Sequence, residues 1–212
     1  MLFPNPEPYA IAPGAVLFRA VVEPHAHQLL SEIHDVVARS PLRTPMTPMG
    51  KPMSVEMTNC GDLGWVADRR GYRYERCDPF TGNSWPPMPT SFRELARSMA
   101  MRAGYEGFEP DACLINKYSP GSKMGLHQDR DESDFSQPIV SVSIGLPITF
   151  KFGGLRRTGR TVSVALQHGD VVVFGGAARL AFHGVGTLRR GKHQLTGSSR
   201  YNLTFRVAGS PH

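Results

Sequence analysis

The 212 residues fit a single domain with enough chain to bury a substantial core. Hydrophobic residues make up 40% and charged residues 20%, which excludes a disordered chain, and the formal charge of +6 is compatible with a polyanionic partner without requiring one. The three cysteines, Cys60, Cys77 and Cys113, form no C-x-x-C pair, so neither a zinc knuckle nor a disulfide framework is expected and a reducing compartment fits.

Residues 1–13 are proline-rich and lack a basic start followed by an apolar run, so they read as a flexible N-terminus and not as a signal peptide. No apolar run approaches the ~18 residues of a membrane span, and a cytoplasmic protein is expected. Residues 15–22 (AVLFRAVV) read as a first strand. From Pro24 a helix is predicted to Arg39, with Leu29, Leu30, Ile33, Val36 and Val37 at near-helical spacing. Residues 41–90, rich in Pro, Gly, Met, Thr and Asn, read as a loop-rich lid with short strand candidates at 53–59 and 72–74; loops of this size inside a domain are usually functional. A second helix is signalled by the capping-box spacing of Ser91 and Glu94, given an apolar side by Leu95, Met99 and Met101, and stopped at Gly104. After residue 112 come short β-branched or aromatic runs at 113–118, 139–145, 148–152, 161–166, 171–174 and 200–207, divided by Gly and Pro. The fold class is mainly β with flanking helices, a sandwich or jelly-roll barrel over 112–209 in one 1–212 domain.

Within the strand region LHQDRDE places His127 and Asp129 two residues apart, so in an extended segment both project to one face. His183, in AFHGV, would complete a 2-His-1-carboxylate face with open coordination positions, the arrangement of non-heme iron(II) oxygenases. H-x-D alone also describes a solvated polar turn beside an unrelated histidine. The last strand weighs against that alternative. In RYNLTFR, alternation puts Arg200, Asn202, Thr204 and Arg206 on one face and Tyr201, Leu203 and Phe205 on the other. Two arginines pointing into a barrel are costly unless anions meet them, and a dicarboxylate supplies two. A solvent-facing edge strand is the competing reading.

Long segments of the chain resemble the AlkB family of DNA-repair dioxygenases, close to its founding bacterial type. They are MSVEMTNCGDLGW (53–65), PDACLINKYSPGSKMGLHQDRDE (110–132), PIVSVSIGLP (138–147), HGDVVVFGG (168–176) and RYNLTFRVAG (200–209). The resemblance implies a double-stranded β-helix core, iron(II) held by His127, Asp129 and His183, and dioxygen and 2-oxoglutarate as cosubstrates. It implies that Arg200 pairs with the distal carboxylate of 2-oxoglutarate, helped by Asn116 and Tyr118, while Asn202 and Arg206 sit near the chelating end. Decarboxylation of 2-oxoglutarate would then drive hydroxylation of an N-alkyl group, with release of formaldehyde from an N-methyl lesion. One departure is Phe174, where the family tends to have tryptophan, and Lys51 and Glu56 fall in the lid, which varies among relatives.

A methylated base must be flipped out of a duplex or already be single-stranded to be reached. The resemblance makes Trp65 and the His127 imidazole the stacking pair, Tyr72 a pocket wall and phosphate contact, and Met57 an adaptable apolar filler. It makes Asp131 the reader of the base edge, favouring cationic lesions such as 1-methyladenine or 3-methylcytosine. A core indole at Trp65 and a plain surface charge at Asp131 are the competing readings. Of the cluster Lys151, Arg156, Arg157 and Arg160, only Arg157 matches the family pattern as a phosphate contact, with Thr47 and Lys123; Arg189, Arg190 and Lys192 read as a solvated face. The expected partner is alkylated single- or double-stranded DNA, with RNA as a second candidate, no membrane, and a monomer as the working unit. The same oxygenase chemistry on proteins or small molecules is one rival. A zinc hydrolase would leave Arg200 and Arg206 without anions, and a non-catalytic binder would not need the triad.

Overall fold

Two helices cover one face of a large sheet because each carries a single apolar stripe. The computed structural model describes residues 7–209. In α1 (Ala26–Arg39) the buried residues are Ala26, Leu29, Leu30, Ile33 and Val36, and in α2 (Thr90–Arg102) they are Phe92, Leu95, Ala96, Met99 and Ala100. Spacings of three and four put each set on one side of its helix. Met101 lies off that stripe and is exposed, contrary to the sequence expectation. The expected capping box of α2 does not form: the helix starts after Pro89 without a side-chain cap, and the Ser91 hydroxyl instead bonds the Glu32 carboxylate of α1, tying the helices together. Pro24 opens a short 3-10 turn, Glu23–His25, that leads into α1.

The strands in chain order are β1 (Tyr9–Ala12), β2 (Ala15–Phe18), β3 (Glu56–Gly61), β4 (Gly64–Asp68), β5 (Gly71–Glu75), β6 (Ala112–Tyr118), β7 (Met124–His127), β8 (Ile139–Gly145), β9 (Ile148–Phe152), β10 (Val162–Leu166), β11 (Val171–Phe174), β12 (His183–Val185) and β13 (Arg200–Arg206). A seven-stranded antiparallel sheet runs β1-β2-β11-β8-β13-β6-β3, a four-stranded one β10-β9-β12-β7, and β4 and β5 form a separate hairpin. The two larger sheets give the jelly-roll core. Its main apolar cluster lies between the helices and the large sheet, and a second lies between the sheets.

β13 sits in the middle of the large sheet, paired with β6 on one side and β8 on the other. Its alternation divides the molecule. Tyr201, Leu203 and Phe205 join the cluster under the helices, while Arg200, Asn202, Thr204 and Arg206 line a cavity between the sheets.

Several boundaries differ from the sequence reading. The first strand stops at Phe18, because Arg19 and the Ala20 amide both bond Asp170 and Ala20 turns the chain at φ 53°. Residues 9–12, expected to be flexible, pair with β2 as an edge strand; residues 1–6 lie outside the described residues. Within 41–90, β3 is an edge strand of the large sheet and Arg43 bridges to its Met57, so the segment expected to be a lid is in part sheet. The hairpin β4–β5 is longer than the 72–74 candidate. It needs Gly64, where a Cβ would lie 2.3 Å from the Trp85 ring. Among the described residues no helix is long and apolar enough to cross a membrane.

Candidate active site

The cavity between the sheets has a volume of about 710 Å³ and is walled by β6, β7, β12, β13, the lid and the loop that follows β9. At its floor β7 and β12 pair antiparallel with His127 opposite His183, bringing their rings to 4.5 Å between centroids. Asp129 follows two residues after His127. Its Oδ1 is 3.5 Å from His127 Nε2 and its Oδ2 is 3.8 Å from His183 Nε2. One ligand atom from each of the three residues falls within 4.8 Å of the others.

The tautomers follow from the neighbours. His127 Nδ1 lies 2.9 Å from the Gly125 carbonyl and His183 Nδ1 lies 3.0 Å from the Ala181 carbonyl. A carbonyl only accepts, so each Nδ1 carries a proton and each Nε2 faces Asp129, where it can ligate an ion once unprotonated. Orientation of the ligating nitrogen by a bond at the other one is the usual support for a metal-bound histidine. Burial pushes the His183 imidazole down to about 4, keeping it neutral. Burial acts the same way on His127, but the hydrogen bond and charge of Asp129 outweigh it and its net shift is upward. Burial also opposes ionisation of Asp129, yet the Arg206 guanidinium and the two histidines hold its carboxyl well below the usual range. Two imidazole nitrogens and one carboxylate oxygen on one side, with cavity on the other, fit a divalent iron with open positions.

Arg206 and Arg200, on one face of one strand, have opposite surroundings. Arg206 donates through Nε (3.1 Å) and an NH2 group (2.6 Å) to Asp129 Oδ2, and its Nε lies 3.2 Å from Glu132 Oε1. The protein's own carboxylates therefore meet its charge, and the expectation that both arginines await outside anions is corrected to one. Asp129 Oδ1 takes no bond from Arg206 and faces His127 Nε2 at 3.5 Å. Arg200 is 1% exposed and donates only to neutral acceptors, the Leu146 carbonyl at 3.0 Å and the Ser143 hydroxyl at 2.6 Å. Among the described residues no carboxylate lies within 4 Å of it. Burial lowers it to about 10, which still leaves it charged at neutral pH. The Tyr118 hydroxyl, raised to about 12 by burial, stays a protonated donor. Asn116 gives its NH2 to Asn202 Oδ1 at 3.3 Å and leaves its own Oδ1 buried without a partner.

Toward the mouth, Trp65 stacks on Tyr72 with centroids 5.5 Å apart and planes 13° from parallel, and its indole N–H donates to Asp131 Oδ2 at 2.8 Å. The Asn59 side chain fixes the Trp65 backbone from both directions. Burial raises the Asp131 carboxyl, with the Trp65 bond pulling the other way. Thr47, Lys123 and Arg157 complete the rim, and Met57 lies in the wall. Every residue singled out in the sequence as a metal, cosubstrate or base contact lines this one cavity. Lys151, Arg156 and Arg160 do not, nor do Arg189, Arg190 and Lys192. Phe174, at the departure from the family pattern, packs 4.9 Å from the His183 ring.

Sequence reasoning missed a buried polar group behind the triad. Tyr74 donates to Glu132 Oε1 (2.7 Å), and Arg179 donates to Glu132 Oε2 (3.0 Å), to the Asp129 carbonyl (2.8 Å) and to the Gln137 carbonyl (2.9 Å). Glu132 stood in the motif LHQDRDE, but Arg179 and Tyr74 come from distant segments with no local pattern to single them out.

The chain matches the 2OG-Fe(II) oxygenase superfamily over residues 14–206. It is 53% identical to the alpha-ketoglutarate-dependent dioxygenase AlkB of Escherichia coli K12 over 98% of this chain and 97% of that one. It is 35% identical to the DNA N(6)-methyladenine demethylase ALKBH1C of Arabidopsis thaliana over 68% of this chain and 37% of that one. Among solved structures, that of OsALKBH1 superposes with a TM-score of 0.83 at 28% identity, covering 94% of this chain and 99% of that one.

Proposed function

The chain belongs to the 2OG-Fe(II) oxygenase superfamily and within it to the AlkB-type dioxygenases, and from that premise we propose how its residues carry out oxidative dealkylation of DNA bases. The cofactors are iron(II) and 2-oxoglutarate. His127 Nε2, His183 Nε2 and Asp129 Oδ1 would hold the metal. When bound, iron with 2-oxoglutarate and dioxygen supplies the oxidising power for hydroxylating an N-alkyl carbon, chemistry no side chain provides.

The observation that carries the cosubstrate assignment is Arg200, a buried cation facing the cavity without an anion of its own. Leaving a guanidinium so is expensive unless a ligand carboxylate joins it, and its planar fork suits one. Tyr118, as a protonated phenol, and Asn116, both lining the cavity, would help hold that carboxylate. Arg206 and Asn202 fix the other end of the strand, and Arg206 keeps Asp129 ionised so that Oδ1 stays a ligand.

The flipped base would enter between Trp65 and His127, with Tyr72 and Met57 as walls. Asp131 would accept from the exocyclic amine in place of the Trp65 indole. That favours lesions on the Watson–Crick edge of the 1-methyladenine and 3-methylcytosine kind, in DNA first and in RNA second. Such lesions weaken pairing, which lowers the cost of extrusion. Thr47, Lys123 and Arg157 would hold the phosphates beside it. The working unit of this reading is a monomer.

The test is formaldehyde release from a single-stranded oligonucleotide carrying 1-methyladenine, with iron(II), ascorbate and dioxygen, with and without 2-oxoglutarate. Release that requires 2-oxoglutarate and disappears in Asp129→Ala is the expected outcome. Consumption of 2-oxoglutarate without formaldehyde would reject the lesion, and no turnover of either would reject the site assignment.

A further inference from the structure

The lid hairpin is fastened to the segment that carries the metal-ligating carboxylate. Trp65 and Tyr74 are a directly opposed cross-strand pair of β4 and β5. The Trp65 indole bonds Asp131 and the Tyr74 hydroxyl bonds Glu132, so one pair of the hairpin holds two successive carboxylates just beyond Asp129. The two bonds differ in surroundings. The Trp65 bond lies at the cavity mouth, where an entering base competes for it. The Tyr74 bond is buried, with both residues under 10% exposed.

Glu132 passes that contact on. It shares Arg206 with Asp129, and it shares Arg179, whose other NH2 group donates to the Asp129 carbonyl. Asp129 is thus gripped from its side chain by Arg206 and from its backbone by Arg179, and both arginines also answer to Glu132. When Tyr74 donates to Glu132 it satisfies part of that carboxylate's demand and leaves more of Arg206 to Asp129. In so dry a cluster a lost donor is felt by every member, because no water replaces it.

We infer that Tyr74, Glu132 and Arg179 are positioning residues that couple seating of the lid on nucleic acid to the placement of Asp129, so that metal and nucleic acid each bind more tightly when the other is present. The inference rests on the functional reading above only for the identity of the lid's ligand. Coupling between two ligands is reciprocal and amounts to roughly 5- to 150-fold in affinity where it operates.

The test measures Co(II) affinity by calorimetry, with 2-oxoglutarate saturating and oxygen excluded, with and without a short single strand carrying 1-methyladenine. In the wild type the Co(II) dissociation constant should fall at least about fivefold when the strand is bound. In Tyr74→Phe, which removes one hydroxyl, the two constants should agree within about twofold, although the strand still binds by fluorescence anisotropy. A merely structural role for Tyr74 would weaken Co(II) equally in both conditions and preserve the ratio, and that result would overturn the inference. So would a wild-type ratio of one with both ligands bound. If Tyr74→Phe does not fold, Glu132→Gln takes its place, and the wild-type strand affinity with and without Co(II) must show the same factor. A wild type that binds Co(II) but no alkylated strand would instead reject the functional reading, and this inference with it.

Discussion

The guanidinium of Arg200 is held by a neutral carbonyl and a neutral hydroxyl in the interior of the sheet, and this imbalance has a measurable consequence. A ligand that brings a carboxylate to Arg200 binds the folded state alone, so it must raise stability by mass action. At 100 times its dissociation constant the gain is about 2.7 kcal/mol, or roughly 5–10 °C for a chain of this length. We expect 2-oxoglutarate, with Mn(II) in place of iron, to raise the melting temperature by that order. The monocarboxylate 2-oxobutyrate, which keeps the chelating end and lacks the distal group, should raise it far less. Arg200→Lys retains the charge but loses the fork, and should abolish the difference between the two acids while raising the KM for 2-oxoglutarate by at least about tenfold. An unchanged preference for the dicarboxylate in Arg200→Lys would remove Arg200 from the cosubstrate site. Thermal shift and steady-state kinetics read the two effects separately.

At the scale of elements, the metal centre depends on two strands too short to be seen in the sequence. β7 and β12 have four and three residues and each contains a glycine, so neither presents a run of β-branched residues. Their pairing nevertheless sets His127 against His183, and Gly184 makes it possible: a Cβ there would lie 2.6 Å from the Met124 carbonyl oxygen and 2.7 Å from that of Gly125. Backbone atoms cannot yield as a side-chain tip can. Gly184→Ala should therefore push β12 from β7, cost on the order of 1–3 kcal/mol in stability and weaken Co(II) binding by at least about tenfold. Near-wild-type metal affinity in a folded Gly184→Ala protein would show that the pairing does not set the site. What was legible in the sequence follows the same logic. β13 was readable because both its faces obey a period of two, and the triad because H-x-D sits beside a recognisable strand set. The Glu32–Ser91 tie, the pairing of Arg206 with Asp129 and Glu132, and the role of Arg179 were not readable. Each depends on side chains from distant segments meeting in space, where polar residues choose partners that local spacing does not reveal. Ser91 was misread for the same reason, since a helix-start pattern was overridden by a partner 59 residues away.

Across the whole molecule, net charge and the cavity lining make different predictions for nucleic-acid binding. The excess of +6 is spread over many exposed arginines and lysines, yet of the exposed cations singled out in the sequence only Lys123 and Arg157 line the cavity, while Arg189, Arg190 and Lys192 lie outside it. A chain that bound nucleic acid by net charge alone would respond alike to the loss of any of these. A chain that lays a strand across the cavity mouth should distinguish them. Each phosphate neutralised on a single strand contributes about −0.7 to the slope of log affinity against log salt. Arg157→Ala should thus make the slope shallower by about 0.7 and weaken binding uniformly across flanking sequences, because a phosphate contact positions the strand without reading it. Lys123→Ala should do the same, and Arg189→Ala should leave the slope within error of wild type. Fluorescence anisotropy on a labelled 1-methyladenine strand from about 50 to 200 mM salt gives all four slopes. If Arg189→Ala flattens the slope as much as Arg157→Ala, the strand path runs beyond the cavity rim and the basic face around Arg189 belongs to it. If neither does, affinity comes from the stacked base in the Trp65 pocket, and Trp65→Ala should then account for most of the loss.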